Sequence, residues 1–165
     1  MVSTLIPAGS SVPSPASARH DGDVSAPRQR VAPTVLSLLQ AARGGLAEAE
    51  AETSPSTRYI CAHLAALRAA AAIVAARGEP GTGTRRRRPR SVWELLPQVE
   101  PTLAEWSAFF AASAAKRAAA EAGLPRAASA HEADQLLHDA ETFISVAERA
   151  LGVDGQAVLP LRSAS

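Results

Sequence analysis

The sequence predicts an all-α bundle of four main helices and one short extra helix. Three observations carry that expectation. Alanine supplies 38 of the 165 residues, and it has the highest helix propensity of any side chain. Aromatic residues make up only 4%, which counts against a sandwich or barrel built on alternating aromatic and β-branched residues. Apolar residues recur at helical spacing from about residue 34 to 151, in segments separated by Pro, Gly and Ser clusters. The length fits one domain, and no internal repeat at 20–50-residue spacing divides it.

Residues 1–33 are rich in Ser, Pro, Ala and Gly without apolar periodicity, and read as a disordered tail. The first helix is expected after Pro33, with Val35, Leu38, Leu39, Ala42, Leu46 and Ala49 along one face. Gly44-Gly45 weakens its continuity. Glu48, Glu50 and Glu52 oppose the helix dipole at its end, so fraying is expected there. Ser54-Pro55 starts a second helix, a cap followed by proline at the first helical position. It runs to about Arg77, with Tyr59, Ala62, Ala66, Ala69 and Ile73 on one face and Ile60, Leu64, Leu67, Ala71 and Val74 on another. A helix apolar on two sides belongs at the centre of a fold.

Residues 78–90 form a Gly/Thr linker ending in five arginines, Arg85, Arg86, Arg87, Arg88 and Arg90. Ser91-Val92-Trp93-Glu94 spells a capping box, and Pro97 keeps the helix behind it short. Pro101 opens a longer helix with Leu103, Trp106, Phe110, Ala114 and Ala118 expected on its inner face, and Gly123-Leu124-Pro125 closes it. A second capping box, Ser129-Ala130-His131-Glu132, opens the last helix. Its stripe of Ala133, Leu136, Leu137, Ala140, Phe143, Ile144, Ala147 and Leu151 is the cleanest in the chain. From residue 152 to 165 the pattern fades into a flexible tail. Short loops between long helices imply a largely up-and-down topology.

The charge balance narrows the function classes. Seventeen basic and 16 acidic residues leave a net charge of +1, so the whole molecule does not attract nucleic acid, although a local patch can. Cys61 is the single cysteine, which excludes an internal disulfide and a paired-cysteine zinc site. The N-terminus lacks the basic and apolar regions of a signal peptide. The longest unbroken apolar run, Ala69 to Ala76, is far below the roughly 20 residues that span a bilayer. A cytoplasmic protein without a membrane segment is expected. Gly-rich phosphate loops, G-x-S-x-G and H-E-x-x-H are absent, and no cofactor is expected.

Arg-x4-His occurs twice. Arg58 and His63 both fall inside the second helix, where five residues set them about 140° apart, too divergent to grip one phosphate. Arg126 precedes the Ser129 cap and His131 follows it, so a loop can turn the arginine towards the histidine. Arginine can hold a phosphate oxygen with paired hydrogen bonds, histidine can move a proton near neutral pH, and a helix N-terminus favours anions. That chemistry suits RNA cleavage without a metal. His131, Asp134, His138 and Glu141 share one side of the last helix at a spacing open to metal ligation. That side is also the one an amphipathic helix must keep polar, and no metal site is expected there. The five linker arginines are candidates for phosphate contacts, or a solvated charge run. Trp93, Trp106, Phe109 and Phe110 could stack on bases but are expected in the core.

The segment from Arg58 to Ala71 (RYICAHLAALRAAA) resembles the second helix of the HEPN domain, the higher eukaryote and prokaryote nucleotide-binding family. Ala133 to Phe143 resembles the family's closing helix, and Arg88–Pro97 and Ala104–Ala111 resemble one actinobacterial subfamily. The resemblance covers about residues 34–151 and implies a four-helix HEPN-like bundle that pairs as a homodimer. In active members an Arg-x4–6-His motif near the last helix cuts RNA across the dimer interface without metal. Arg126 and His131 match that motif in spacing and placement. Ala127 stands where many active members carry Asn, Asp or His. Other members lack the motif and act as partner modules, so the alternative is a non-catalytic module. It would dock a protein or nucleic acid through the Arg85–Arg90 loop or the last helix.

Overall fold

Small side chains decide which helices touch. The computed structural model describes residues 31–78 and 89–153. Most of the expected N-terminal tail, all but two residues of the expected C-terminal tail, and Arg85 to Arg88 lie outside the described residues. Among the described residues the protein is all α. The helices are α1 (Pro33–Ala51), α2 (Pro55–Arg77), α3 (Val92–Val99), α4 (Ala104–Glu121) and α5 (Ala130–Ala150), with a 3-10 turn at Pro101–Leu103 before α4.

Helix α2 packs against all four of the others, and none of its residues from Pro55 to Val74 is exposed. Ala62, Ala65, Ala66, Ala69 and Ala70 of α2, and Ala133, Ala140 and Ala147 of α5, are all fully buried. Their short side chains let the two backbones approach closely. The pair runs parallel: Arg58 bonds Asp134 at the N-terminal ends, and Arg77 Nη2 donates to the Ala150 carbonyl at 3.0 Å at the other. α1 returns antiparallel to α2 after a three-residue connection. α4 also runs antiparallel to α2, since Tyr59 lies beside Ser113 and His63 bonds the carbonyl of Phe110. The order is therefore up and down, as the short loops imply, with α2 at the centre. With α2 and α5 in close contact, α4 is held away from α5 by the rings of Trp106, Phe110 and Phe143, whose centroids lie 5.3–6.1 Å apart.

Helix α3 shows how one residue's chemistry calls for another's. Its capping box forms as expected: Ser91 Oγ accepts from the Glu94 amide at 3.2 Å, and the Glu94 carboxylate accepts from the Ser91 amide at 2.8 Å. Pro97 has no N–H to give the carbonyl four residues back, that of Trp93. Ser107 on α4 supplies the missing donor, with its buried hydroxyl bonded to the Trp93 carbonyl. The bond ties α3 across α4 and places Trp93 on the aromatic core, stacked on Phe110 at 5.1 Å.

Four expectations need correction. α1 runs unbroken through Gly44-Gly45. A Cβ at Gly45 would meet Arg68 Nη1 at 2.7 Å, so this glycine provides the close approach to α2. α1 does not fray at its acidic end, because Arg58 donates to the Glu52 carbonyl from Nε at 3.1 Å and Nη2 at 2.7 Å, placing a cation where the dipole favours one. The inner face of α4 follows Ser107, Phe110 and Ala120, while Ala118 is exposed, because α4 leans away from α5. Finally, α2 as a whole is long and apolar enough to cross a membrane by length and composition. Its apolarity is accounted for by its place at the centre of the bundle.

Candidate functional site

The two sequence-predicted catalytic residues sit on either side of one helix start. α4 ends in a Schellman motif: Leu124 N–H reaches the Ala119 carbonyl at 3.1 Å and Gly123 N–H the Ala120 carbonyl at 3.0 Å, with Gly123 at φ 72°. A tight turn follows at once, closed by Ala127 N–H to the Leu124 carbonyl at 3.2 Å. Pro125 takes its second position and Arg126 its third, at φ 56°. Arg126 is the one described residue other than glycine with a positive φ, in a position where turns of this kind favour glycine. The turn leaves Arg126 exposed directly ahead of α5.

Ser129 caps α5, its Oγ accepting from the Glu132 amide at 3.2 Å while the Glu132 carboxylate accepts from the Ser129 amide at 2.9 Å. The first-turn amides of Ala130 and His131 have no partner within the helix. His131 lies in that first turn and is exposed. Neither the Arg126 nor the His131 side chain makes a hydrogen bond or ion pair among the described residues. Lys116 of α4 forms an ion pair with Glu132 across the gap between α4 and α5. That ammonium and the Ser129 bonds hold the Glu132 carboxyl down at about 2.

The gap between α4 and α5 is an open groove of about 310 Å³, which on α5 begins at Glu132, the residue after His131. Tyr59 forms part of its floor, Phe109, Ser113 and Lys116 its α4 wall, and Glu132, Gln135 and Asp139 its α5 wall. Gln135 and Asp139 follow His131 at i+4 and i+8, so they descend the same side of the helix. Phe109 is 42% exposed, which corrects the expectation of a core residue. The lean of α4 uncovers its ring, while Trp93 and Phe110 are buried and Trp106 half-buried.

The other candidates separate cleanly. His63 is fully buried, its Nε2–H donating to the Phe110 carbonyl at 3.0 Å while Nδ1 accepts from Arg117 Nη1 at 3.4 Å. Burial pushes its pKa below the usual histidine value. Arg58 is occupied by Glu52 and Asp134. The Arg58–His63 pair is therefore part of the fold, in keeping with its divergent geometry. No group of three or more His, Cys, Asp or Glu among the described residues is arranged to hold a metal ion. Arg90 is half-buried and gives one donor to Gln98 Oε1 at 2.8 Å.

Fold and site together define a class: an α-helical bundle presenting an exposed Arg-x4-His pair at the start of its last helix. Residues 49–148 match the family model described as HEPN_SAV_6107-like HEPN, and the chain belongs to the HEPN family. The search of curated proteins and that of solved structures give no match. Sequence reading missed Ser107, Lys116 and the groove-lining Gln135 and Asp139. The four-residue spacing from His131 was the available signal for the last two.

Proposed function

We propose that the protein is an RNA-binding HEPN endoribonuclease that works without a metal, acts as a homodimer in the cytoplasm, and uses Arg126 and His131. The observation that carries this reading is the turn at Arg126. It holds an arginine in a conformation that costs about 1–2 kcal/mol for a side-chain-bearing residue, next to a capped helix start bearing an exposed histidine. Arg126 pairs with non-bridging phosphate oxygens, and the open amides of α5 add to the anion site. His131 takes the proton of the ribose 2′-hydroxyl, the 2′-oxygen attacks phosphorus, and the bond to the 5′-oxygen breaks. The imidazole returns its proton to that leaving oxygen. The products are a 2′,3′-cyclic phosphate and a 5′-hydroxyl end.

Labelled single-stranded RNA incubated with the protein in EDTA tests the proposal. Cleavage to cyclic-phosphate ends, lost in His131→Ala and Arg126→Ala, is the expected result. No cleavage, or cleavage that survives His131→Ala, refutes it. Arg85 to Arg88 and Arg90 are proposed as auxiliary phosphate contacts, expected to steepen the salt dependence of binding by about 0.7 per contact on single strands.

A further inference from the structure

We propose that the groove between α4 and α5 is a base-recognition subsite that takes a guanine of single-stranded RNA next to the phosphate held by Arg126 at the start of α5. This rests on the ribonuclease reading and extends it to substrate preference. Three observations point the same way. On α5 the groove begins at Glu132, one residue past His131, and runs down the wall bearing Gln135 and Asp139, so a nucleotide whose phosphate sits at the helix start can carry its base towards those side chains. Phe109 offers an exposed ring on the opposite wall, fixed edge-on by Trp106 and Phe110 with interplanar angles of 89° and 82°. A ring held in that way is a ready platform for base stacking. Asp139 is half-buried, and neither its side chain nor that of Gln135 has a hydrogen-bond or ion-pair partner among the described residues. Lys116 and Glu132, by contrast, satisfy each other at the mouth.

An unpartnered carboxylate in a groove accepts hydrogen bonds and donates none. Among the RNA bases, guanine presents two adjacent donors, N1–H and the N2 amino group, which fit the two oxygens of one carboxylate. Adenine and cytosine offer a single amino group on that edge and uracil a single imide N–H. Gln135 supplies a donor for the guanine O6 acceptor beside them.

The test uses the full chain carrying His131→Ala, which removes cleavage, and fluorescence anisotropy with six-nucleotide oligoadenylates containing one central guanosine, inosine or adenosine. The guanosine oligomer is expected to bind about tenfold tighter than the adenosine one, with inosine between them. Asp139→Asn is expected to erase that difference, and Phe109→Leu to weaken all three. Circular dichroism and thermal melting establish that each variant is folded. Equal affinity for the three oligomers overturns the inference, as does a guanosine preference that persists in Asp139→Asn. RNA cleavage by the unsubstituted protein without guanine selectivity sinks the inference and leaves the ribonuclease reading standing. Guanine-selective binding by a protein that cuts nothing does the reverse.

Discussion

Replacing Arg126 with glycine should stabilise the fold relative to replacing it with alanine, even though both changes remove the phosphate-binding side chain. The reason is the φ of 56° at this residue. A residue with a Cβ pays about 1–2 kcal/mol in the left-handed region, and alanine keeps that strain whereas glycine relieves it. Against this, glycine's extra freedom in the unfolded chain costs roughly 0.5–1 kcal/mol. The difference leaves Arg126→Gly about 0.5–1 kcal/mol more stable than Arg126→Ala, a separation of roughly 3–5 °C in melting temperature for a domain of this size. Arg126 is exposed and makes no bonds among the described residues, so no lost contact obscures the comparison. Urea titrations of both variants at one pH, followed by circular dichroism, measure it. A glycine variant less stable than the alanine one would mean that the turn does not hold residue 126 in the left-handed region. Arg126 would then not be held under strain for the sake of its side chain.

Three further outcomes follow from the packing. Ser107→Ala should cost about 1–3 kcal/mol, because it leaves the Trp93 carbonyl, already denied its helical donor by Pro97, buried without a partner; chemical denaturation reads this directly. Gly44→Ala should add roughly 0.5–1 kcal/mol, since nothing lies within 4 Å of the new methyl and the position is mid-helix. Stability should fall as pH drops through the unfolded histidine value near 6.5. Burial holds His63 below that value, so the unfolded chain binds the proton first and the stabilisation present above it is lost on acidification. Urea midpoints at pH 7.5 and 5.5 should differ in the unsubstituted protein and differ less in His63→Gln.

The helices were legible because their signals are local. Both capping boxes, the proline after Ser54 and the α5 stripe each lie within one turn or one face of a single helix, and each forms as the sequence indicates. What could not be read depends on contacts between distant segments. Glu52 looks like a frayed end until Arg58 turns back onto its carbonyl, and Ser107 looks like an ordinary helix residue until Trp93 requires its hydroxyl. The groove arises from the close packing of α2 and α5, whose alanines leave α4 to lean outwards, and a single helix carries no trace of that. At the site, spacing was enough to place Arg126 before and His131 after the Ser129 cap. Pro125 hinted at a tight turn, but the left-handed backbone at Arg126 emerges only once Ala127 closes onto Leu124.

Arg126 and His131 are proposed to cut RNA without a metal, and one measurement bears on that cleavage. It is tested most directly by end-group analysis of RNA incubated in EDTA with the unsubstituted protein and with His131→Ala. Cleavage through His131 gives 2′,3′-cyclic phosphate ends from the former and none from the latter. Intact RNA in both, or the same ends from His131→Ala, would contradict it.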